Sequence, residues 1–375
     1  MAAPLAKRFW LTATALLAFQ VMSAQSGSAE VQFSLEVVTE DLVYPWGVAF
    51  LPGGGFLVSE RDGVLKHVDG DGNQSVVPGT PEVFANGQGG LLDIALAPDF
   101  ERTREVYLSF SEGSAGGAGT SVFRGRLTEQ GGGYALEDGQ VIFSGNNRSH
   151  GGRHFGSRLV FAPDETLFVT TGDRGEGERA QNPGDHAGAV LRIDRNGKAP
   201  DDNPFSNVSG HLAEIWSIGH RNPQGATLHP ETGELWTVEH GARGGDEINR
   251  PKAGRNYGWP VISFGRHYSG GKIGEGMQKD GMEQPVHYWD PSIAPSGMAF
   301  VDSPLFPEWN GSLLVGALRG QHIARLEFKD GKVVTEQQLL VDLEERIRDV
   351  RQGPDGYIYF LTDSDEGRLI RMKPR

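Results

Sequence analysis

Six times along its 375 residues the chain repeats one unit: an apolar strand, a turn built on Pro with Asp or Gly, and a second apolar strand. The copies are WGVAFLPGGGFLVSE (46–60), LLDIALAPDFERTREVYLSFS (91–111), RLVFAPDETLFVTTGD (158–173), NPQGATLHPETGELWTVEHG (222–241), GMAFVDSPLFPEWNGSLLVGAL (297–318) and DVRQGPDGYIYFLTDS (349–364). Their turn prolines Pro52, Pro98, Pro163, Pro230, Pro304 and Pro354 stand about 45–75 residues apart, which suits a four-stranded blade with loops of varied length. A parallel α/β fold would need a helical pattern of ten or more residues between strands. Only 337–348 offers a modest one. A jelly roll or sandwich leaves a sixfold unit unexplained. The sequence therefore predicts an all-β chain over 30–375: a single six-bladed β-propeller domain with four antiparallel strands per blade. The Gly-rich stretches 113–119 and 131–133, and 265–284, read as long loops between strands.

Composition narrows the chemistry. Zero cysteines exclude thiolate nucleophiles, Cys-ligated zinc and iron–sulfur clusters. A net charge of −14 argues against nucleic acid and anionic membrane as partners, because those bind clustered basic surface. The N-terminus has the pattern of a secretory signal over 1–29. Lys7 and Arg8 precede the apolar run Phe9–Met22, and the small residues Ser23, Ala24, Gly27, Ser28 and Ala29 follow. The run falls short of the ~20 residues of a membrane span, the alternative reading. Cleavage after Ala29 or Ala24 leaves a periplasmic or secreted chain. After Ala29 its charge is near −16, since the leader carries two cations and no acid.

Hairpin geometry decides which polar residues can meet. In the third unit the turn near Asp164 sets His154 across from Asp173 where the strands open. The fourth unit likewise opposes Arg221 and Glu239, and the sixth opposes Arg346 and Asp363. The corresponding hairpin of every blade points the same way round the ring, so these open ends share one face. His154, Arg221, Asn222, Arg346 and Arg348 then converge on the mouth of the central channel, joined by Gln88 and Arg319. On so acidic a protein that is the footprint of a small polyanion. Each element has a plainer alternative: a structural His–Asp bond, a turn salt bridge at His-Arg-Asn-Pro (220–223), a solvated edge at 346–348. A second cluster, Glu239, Asp246 and Glu247 in EHGARGGDEIN ahead of NYGWP (256–260), offers the hard oxygen ligands that Ca²⁺ prefers, or else an acidic surface loop. The chain has no HExxH zinc pair, GxSxG elbow or P-loop.

These segments resemble the soluble quinoprotein aldose sugar dehydrogenases, the glucose/sorbosone dehydrogenase family. The shared motifs are GQGGLLDIALAPDF (87–100), RHFGSRLVFAPD (153–164) with TGDRG (171–175), IWSIGHRNPQG (215–225), EHGARGGDEIN (239–249) with NYGWP, SIAPSGMAF (292–300) and RIRDVRQGPDGYIYFLTD (346–363). The resemblance implies a propeller that binds pyrroloquinoline quinone (PQQ) and Ca²⁺ and oxidises aldoses at C1 to the lactone. It casts His154 as general base, Asp173 as its orienting partner and Arg221 as a further catalytic residue. Gln88, Arg221, Asn222, Arg319, Arg346 and Arg348 would hold the quinone, and Trp289 matches, one residue out of register, an aromatic that stacks on it. Carbonyls of Gly241 and Ala242 would hold the quinone-bound Ca²⁺, and Glu247 with the Tyr257 carbonyl a second. Ala242 stands where relatives often carry Pro, and Arg319 where they often carry Lys. With no CxxCH haem motif, the chain would need an external electron acceptor: a quinone, dye or cytochrome. A monomer and a homodimer are both compatible with this reading. A Ca²⁺-dependent propeller lactonase would use the same carboxylates and His154 without the arginine rim; a non-catalytic periplasmic binding module would use the face for recognition alone.

Overall fold

The computed structural model describes residues 32–146 and 148–375. The leader read at 1–29 lies outside the described residues. Six four-stranded antiparallel sheets follow one another along the chain, at 45–76, 91–144, 159–218, 223–289, 295–339 and 347–374. The sixth borrows its outermost strand from the other end of the chain. Phe33–Leu42 pairs antiparallel with Gly367–Pro374, setting Phe33 opposite Pro374 and Val37 opposite Ile370. This joins the terminal strands and closes a six-bladed β-propeller. The first strand of each blade packs against the first strand of the next all the way round.

Two glycines show why the inner strands come so close. A Cβ on Gly225 would stand 2.2 Å from the Ser296 carbonyl oxygen, and one on Gly297 2.1 Å from Asp349 Oδ1. The apolar residues lie between blades. Six buried clusters each join two neighbours; Leu57 and Leu65 of the first blade, for instance, meet Leu91, Leu108 and Phe110 of the second. At ~1.5–3 kcal/mol per fully buried side chain, these layers hold the ring together. The axis is plugged by ions. Arg158 reaches Asp93 and Asp349 at 3.0 Å each and covers the Trp46 ring at 4.3 Å, while Arg351 bridges the same two carboxylates at 2.9 Å. Desolvation offsets most of the attraction in such a network, so its contribution is to tie together blades 2, 3 and 6.

All six prolines named above sit in turns between the first two strands of a blade. Three local expectations fail. Segment 337–348 is strand to Leu339, a 3₁₀ turn at Val341–Leu343 and strand again from Ile347, because Leu340 (φ 66°) and Glu344 (φ 54°) take left-handed conformations that no α-helix continues through. Segments 113–119 and 131–133 are tight hairpin turns, not long loops. Their ladders run on to Ser114 opposite Gly117 and Gln130 opposite Gly133, and Gly131 (φ 61°) and Gly132 (φ 84°) supply the positive φ that a two-residue turn demands. Segment 265–284 is irregular, as expected. Among the described residues no helix is long and apolar enough to cross a membrane.

Candidate active site

His154 stands in the loop that leads into the third blade, and its backbone is left-handed (φ 57°). Two contacts hold it there. The backbone N–H donates to Gln88 Oε1 at 2.7 Å, and ring Nδ1 meets Asp173 Oδ1 at 2.6 Å. With Nδ1–H given to the carboxylate, the Nε2 lone pair is the ring's free acceptor. The side chain is 10% exposed and lines a cleft of about 330 Å³ with Arg153, Asp173, Arg221, Trp259 and Tyr268. Burial pulls the His154 pKa below the usual 6.5, outweighing the pull of Asp173, and the charges of Arg221 and Arg153 lower it further. The ring is therefore neutral at pH 7. Asp173 accepts two more hydrogen bonds, from Gly175 N–H at 2.7 Å and from the Trp259 indole at 2.8 Å. Burial pushes its carboxyl up, but His154 and the Gly175 N–H outweigh that and hold it below the ordinary carboxylate range.

The arginines expected beside this pair divide into two groups. Arg221 is buried; its Nη1 donates to the His240 carbonyl at 3.2 Å, its guanidinium lies 5.2 Å from the Trp259 ring centroid, and its Nε has no partner among the described residues. The expected Arg221–Glu239 opposition is real, but the bond comes from the Arg221 backbone N–H, at 2.6 Å, because the ladder pairs Glu239 with Pro223 and leaves the guanidinium free to turn away. Asn222 accepts from Gly156 N–H at 3.1 Å, and its buried Nδ2 also has no partner among the described residues. Arg346 and Arg348 share Asp363, at 3.0 and 3.2 Å. Arg348 is buried and also donates to Gln224 at 2.9 Å, whereas the Arg346 side chain is 48% exposed. Arg319 is exposed, tethered by its backbone to Ile293 at 3.0 Å, and its guanidinium makes no hydrogen bond or ion pair among the described residues. Trp289 is not brought to the cleft. Its indole packs between blades 4 and 5 and donates to Glu336 at 2.9 Å.

The acidic loop resolves into three different carboxylates. Asp246 is buried and accepts from Gly241, Ile293 and Ala294 N–H and from the Ser292 hydroxyl, all within 3.0 Å, so it scaffolds the loop. Glu239 is spent on His220, the Arg221 N–H and Asn249. Among the described residues Glu247 has one donor, Asn249 at 3.1 Å. Burial, and after it the charge of Glu239, push its carboxyl up to about 8. Glu239, Gly241, Gly245, Glu247 and Tyr257 line a cavity of about 10 Å³, room for one small ion or water. Among the described residues no three His, Asp or Glu side chains converge on one point. A cation there would take main-chain carbonyls for most of its shell, which suits Ca²⁺. Ala242 is among the residues that line the larger cleft with His154. Two roomier clefts, of about 470 and 500 Å³, lie at Phe33–Leu343 and at the Pro52 and Pro354 turns, away from these groups.

A model of the family described as Glucose / Sorbosone dehydrogenase matches residues 42–371. The chain belongs to this family. It is 44% identical over 359 residues to an aldose sugar dehydrogenase of Escherichia coli K12, covering 94% of this chain and 96% of that one. The crystal structure of the soluble aldose sugar dehydrogenase of E. coli in its apo-form superposes with a TM-score of 0.89 at 45% identity, covering 92% and 100%. The PQQ-bound aldose sugar dehydrogenase of Streptomyces coelicolor superposes at 0.77 with 30% identity, covering 92% and 99%. The chain is thus a sugar dehydrogenase of the glucose/sorbosone family.

Two residues of the candidate site carry little signal in the sequence. Trp259 was visible only as part of NYGWP, and its signal was the Trp-Pro pair in a Gly-rich loop far along the chain from Asp173. His240 follows Glu239; its Nε2 bonds the Pro295 carbonyl at 2.6 Å, and burial with the charge of Arg221 pushes it down to about 3, so it stays neutral.

Proposed function

We propose that this glucose/sorbosone dehydrogenase oxidises the C1 hydroxyl of aldose sugars to the lactone, with PQQ and Ca²⁺ as cofactors and His154 as general base. One observation carries the reading: His154, neutral and locked through Nδ1 to Asp173, stands beside Arg221 on one cleft. Nε2 would take the hydroxyl proton as the C1–H bond breaks, and Asp173 would stabilise the imidazolium that forms. Bound PQQ would supply the hydride acceptor, and Ca²⁺ its polarisation as a Lewis acid.

The chain's own residues fit such a cofactor. The buried donors Arg221 Nε and Asn222 Nδ2 lack acceptors among the described residues, and Arg346 and Arg348 share a single carboxylate, so there is donor capacity to spare for a tricarboxylate. Gln88, which holds the His154 backbone, and the exposed Arg319 complete the proposed set; Trp289 is left out by its bond to Glu336. The cavity at Glu247 and Tyr257 fits a structural Ca²⁺, and the Gly241 and Ala242 carbonyls would serve the cofactor-bound one. Export by the 1–29 leader would put the enzyme in the periplasm or outside the cell, passing electrons to an external quinone, dye or cytochrome.

Reconstitution tests the reading. Apo-protein given PQQ and Ca²⁺ should reduce a dye in the presence of aldoses. Tight cofactor binding without dye reduction would point to a binding module, and lactone hydrolysis without the quinone to a hydrolase.

A further inference from the structure

Asp173 presents two oxygens, and they are held from different sides. His154 Nδ1 and Gly175 N–H both bind Oδ1, whereas the only donor to Oδ2 among the described residues is the Trp259 indole, at 2.8 Å. The indole comes from the fourth blade and the carboxylate from the third. Its placement is built in detail. Trp259 N–H donates to the Gly219 carbonyl at 2.9 Å, and its own carbonyl accepts from Gln181 at 2.7 Å. Gln181 exchanges a second pair of bonds with Asn256, at 2.8 and 3.1 Å. Gly177 leaves the room: a Cβ there would stand 3.1 Å from Trp259 Nε1 and 3.2 Å from Pro260. The opposite role of the same ring is to carry the Arg221 guanidinium, 5.2 Å from its centroid.

We infer that Trp259 is a positioning residue for the base: its indole N–H pins the outer oxygen of Asp173 while its ring seats Arg221, so one side chain sets the angle between the dyad and the nearest cation. This rests on the assignment of His154 as base. A carboxylate held at one oxygen only can rotate about its Cβ–Cγ bond and carry the imidazole with it. Held at both, it keeps Nε2 on the cleft. The indole donor also draws electron density from Asp173, which weakens the hold of the carboxylate on an imidazolium. The other charged or titratable groups facing His154 are Arg153, Arg221 and His240, with Glu178 and His267 on the cleft wall.

Two variants test this. Trp259→Phe keeps an aromatic ring and removes the donor; Trp259→His restores an N–H at the position of the indole Nε1. In cofactor-free protein, followed by NMR of the His154 ring protons, Trp259→Phe should move the titration upward by about half a unit or more. In reconstituted enzyme it should lower kcat about tenfold, the kinetic equivalent of one charge-assisted hydrogen bond, with KM for sugar little changed. Trp259→His, assayed at pH 8 where its imidazole is neutral, should recover most of that kcat, which a purely structural role would not require. A Trp259→Phe protein that is folded and matches wild type in both the His154 titration and kcat overturns the inference. So does a loss of kcat that Trp259→His does not repair. If His154→Ala itself keeps full turnover, the base assignment fails instead, and the titration of the cofactor-free protein still decides the role of Trp259.

Discussion

His154 and Asp173 meet at 2.6 Å although neither belongs to a strand ladder; the last pair of their hairpin is Leu159 opposite Val169, and both residues lie beyond it. The contact is thus made by two loops that leave the sheet together, with the Gly172 backbone packed so close that a Cβ on it would stand 2.1 Å from the His154 carbonyl. Asp173→Asn should keep the shape and lose the chemistry. An amide cannot stabilise an imidazolium as a carboxylate does, so kcat should fall on the order of 10²-fold or more while PQQ still binds. Stopped-flow turnover with a dye acceptor measures the first, and fluorescence titration of the apo-protein the second.

The pH profile follows from the same pair. A base must be neutral to act, and burial holds His154 below 6.5. Activity should therefore be level through neutral pH and fall only on acidification, with the acid limb of kcat/KM centred below 6.5. A limb centred above 7 would mean that the imidazole titrates as a charged partner of Asp173 and that the desolvation argument is wrong.

Arg346 and Arg348 bind one carboxylate from different depths, so their loss should look different. Arg346→Ala removes a half-exposed charge and should weaken PQQ binding modestly, by an amount that shrinks as salt rises. Arg348→Ala leaves Gln224 and Asp363 short of a buried donor and should weaken binding at every ionic strength and cost about 1–3 kcal/mol of stability. Cofactor titrations at two salt concentrations, with thermal melts, separate the two.

Glu247 gives the proposed calcium site a signature apart from activity. A carboxylate buried near Glu239 is destabilising until a cation joins it. Wild-type apo-protein should gain several degrees of Tm on adding Ca²⁺ at ~100 times its Kd, roughly 2.7 kcal/mol of linkage, and lose them to a chelator. Glu247→Gln should melt above wild type without Ca²⁺ and respond little to it. A wild-type melt indifferent to Ca²⁺ and chelator contradicts the site.

How much of this was legible beforehand depends on whether the signal was local. The six hairpins were readable because a Pro turn between apolar strands is a short-range pattern, and extending each hairpin past its open end set His154 against Asp173 and Arg346 against Asp363. Ring closure by Phe33–Leu42 was not, since it pairs residues more than 300 positions apart. Side-chain direction was the other blind spot. Hairpin register put Arg221 opposite Glu239 but could not say that the bond would come from the backbone, nor that Trp289 would turn into the core. Trp259 on Asp173 is a contact between blades, which no pattern within one repeat encodes.

The most direct measurement is turnover of His154→Ala beside wild type, both reconstituted to saturation with PQQ and Ca²⁺ and supplied with an aldose and a dye acceptor. Wild type should reduce the dye, and the variant should bind PQQ as tightly yet turn over on the order of 10²–10⁴-fold more slowly. A variant that binds the cofactor and keeps wild-type turnover would contradict His154 as the base.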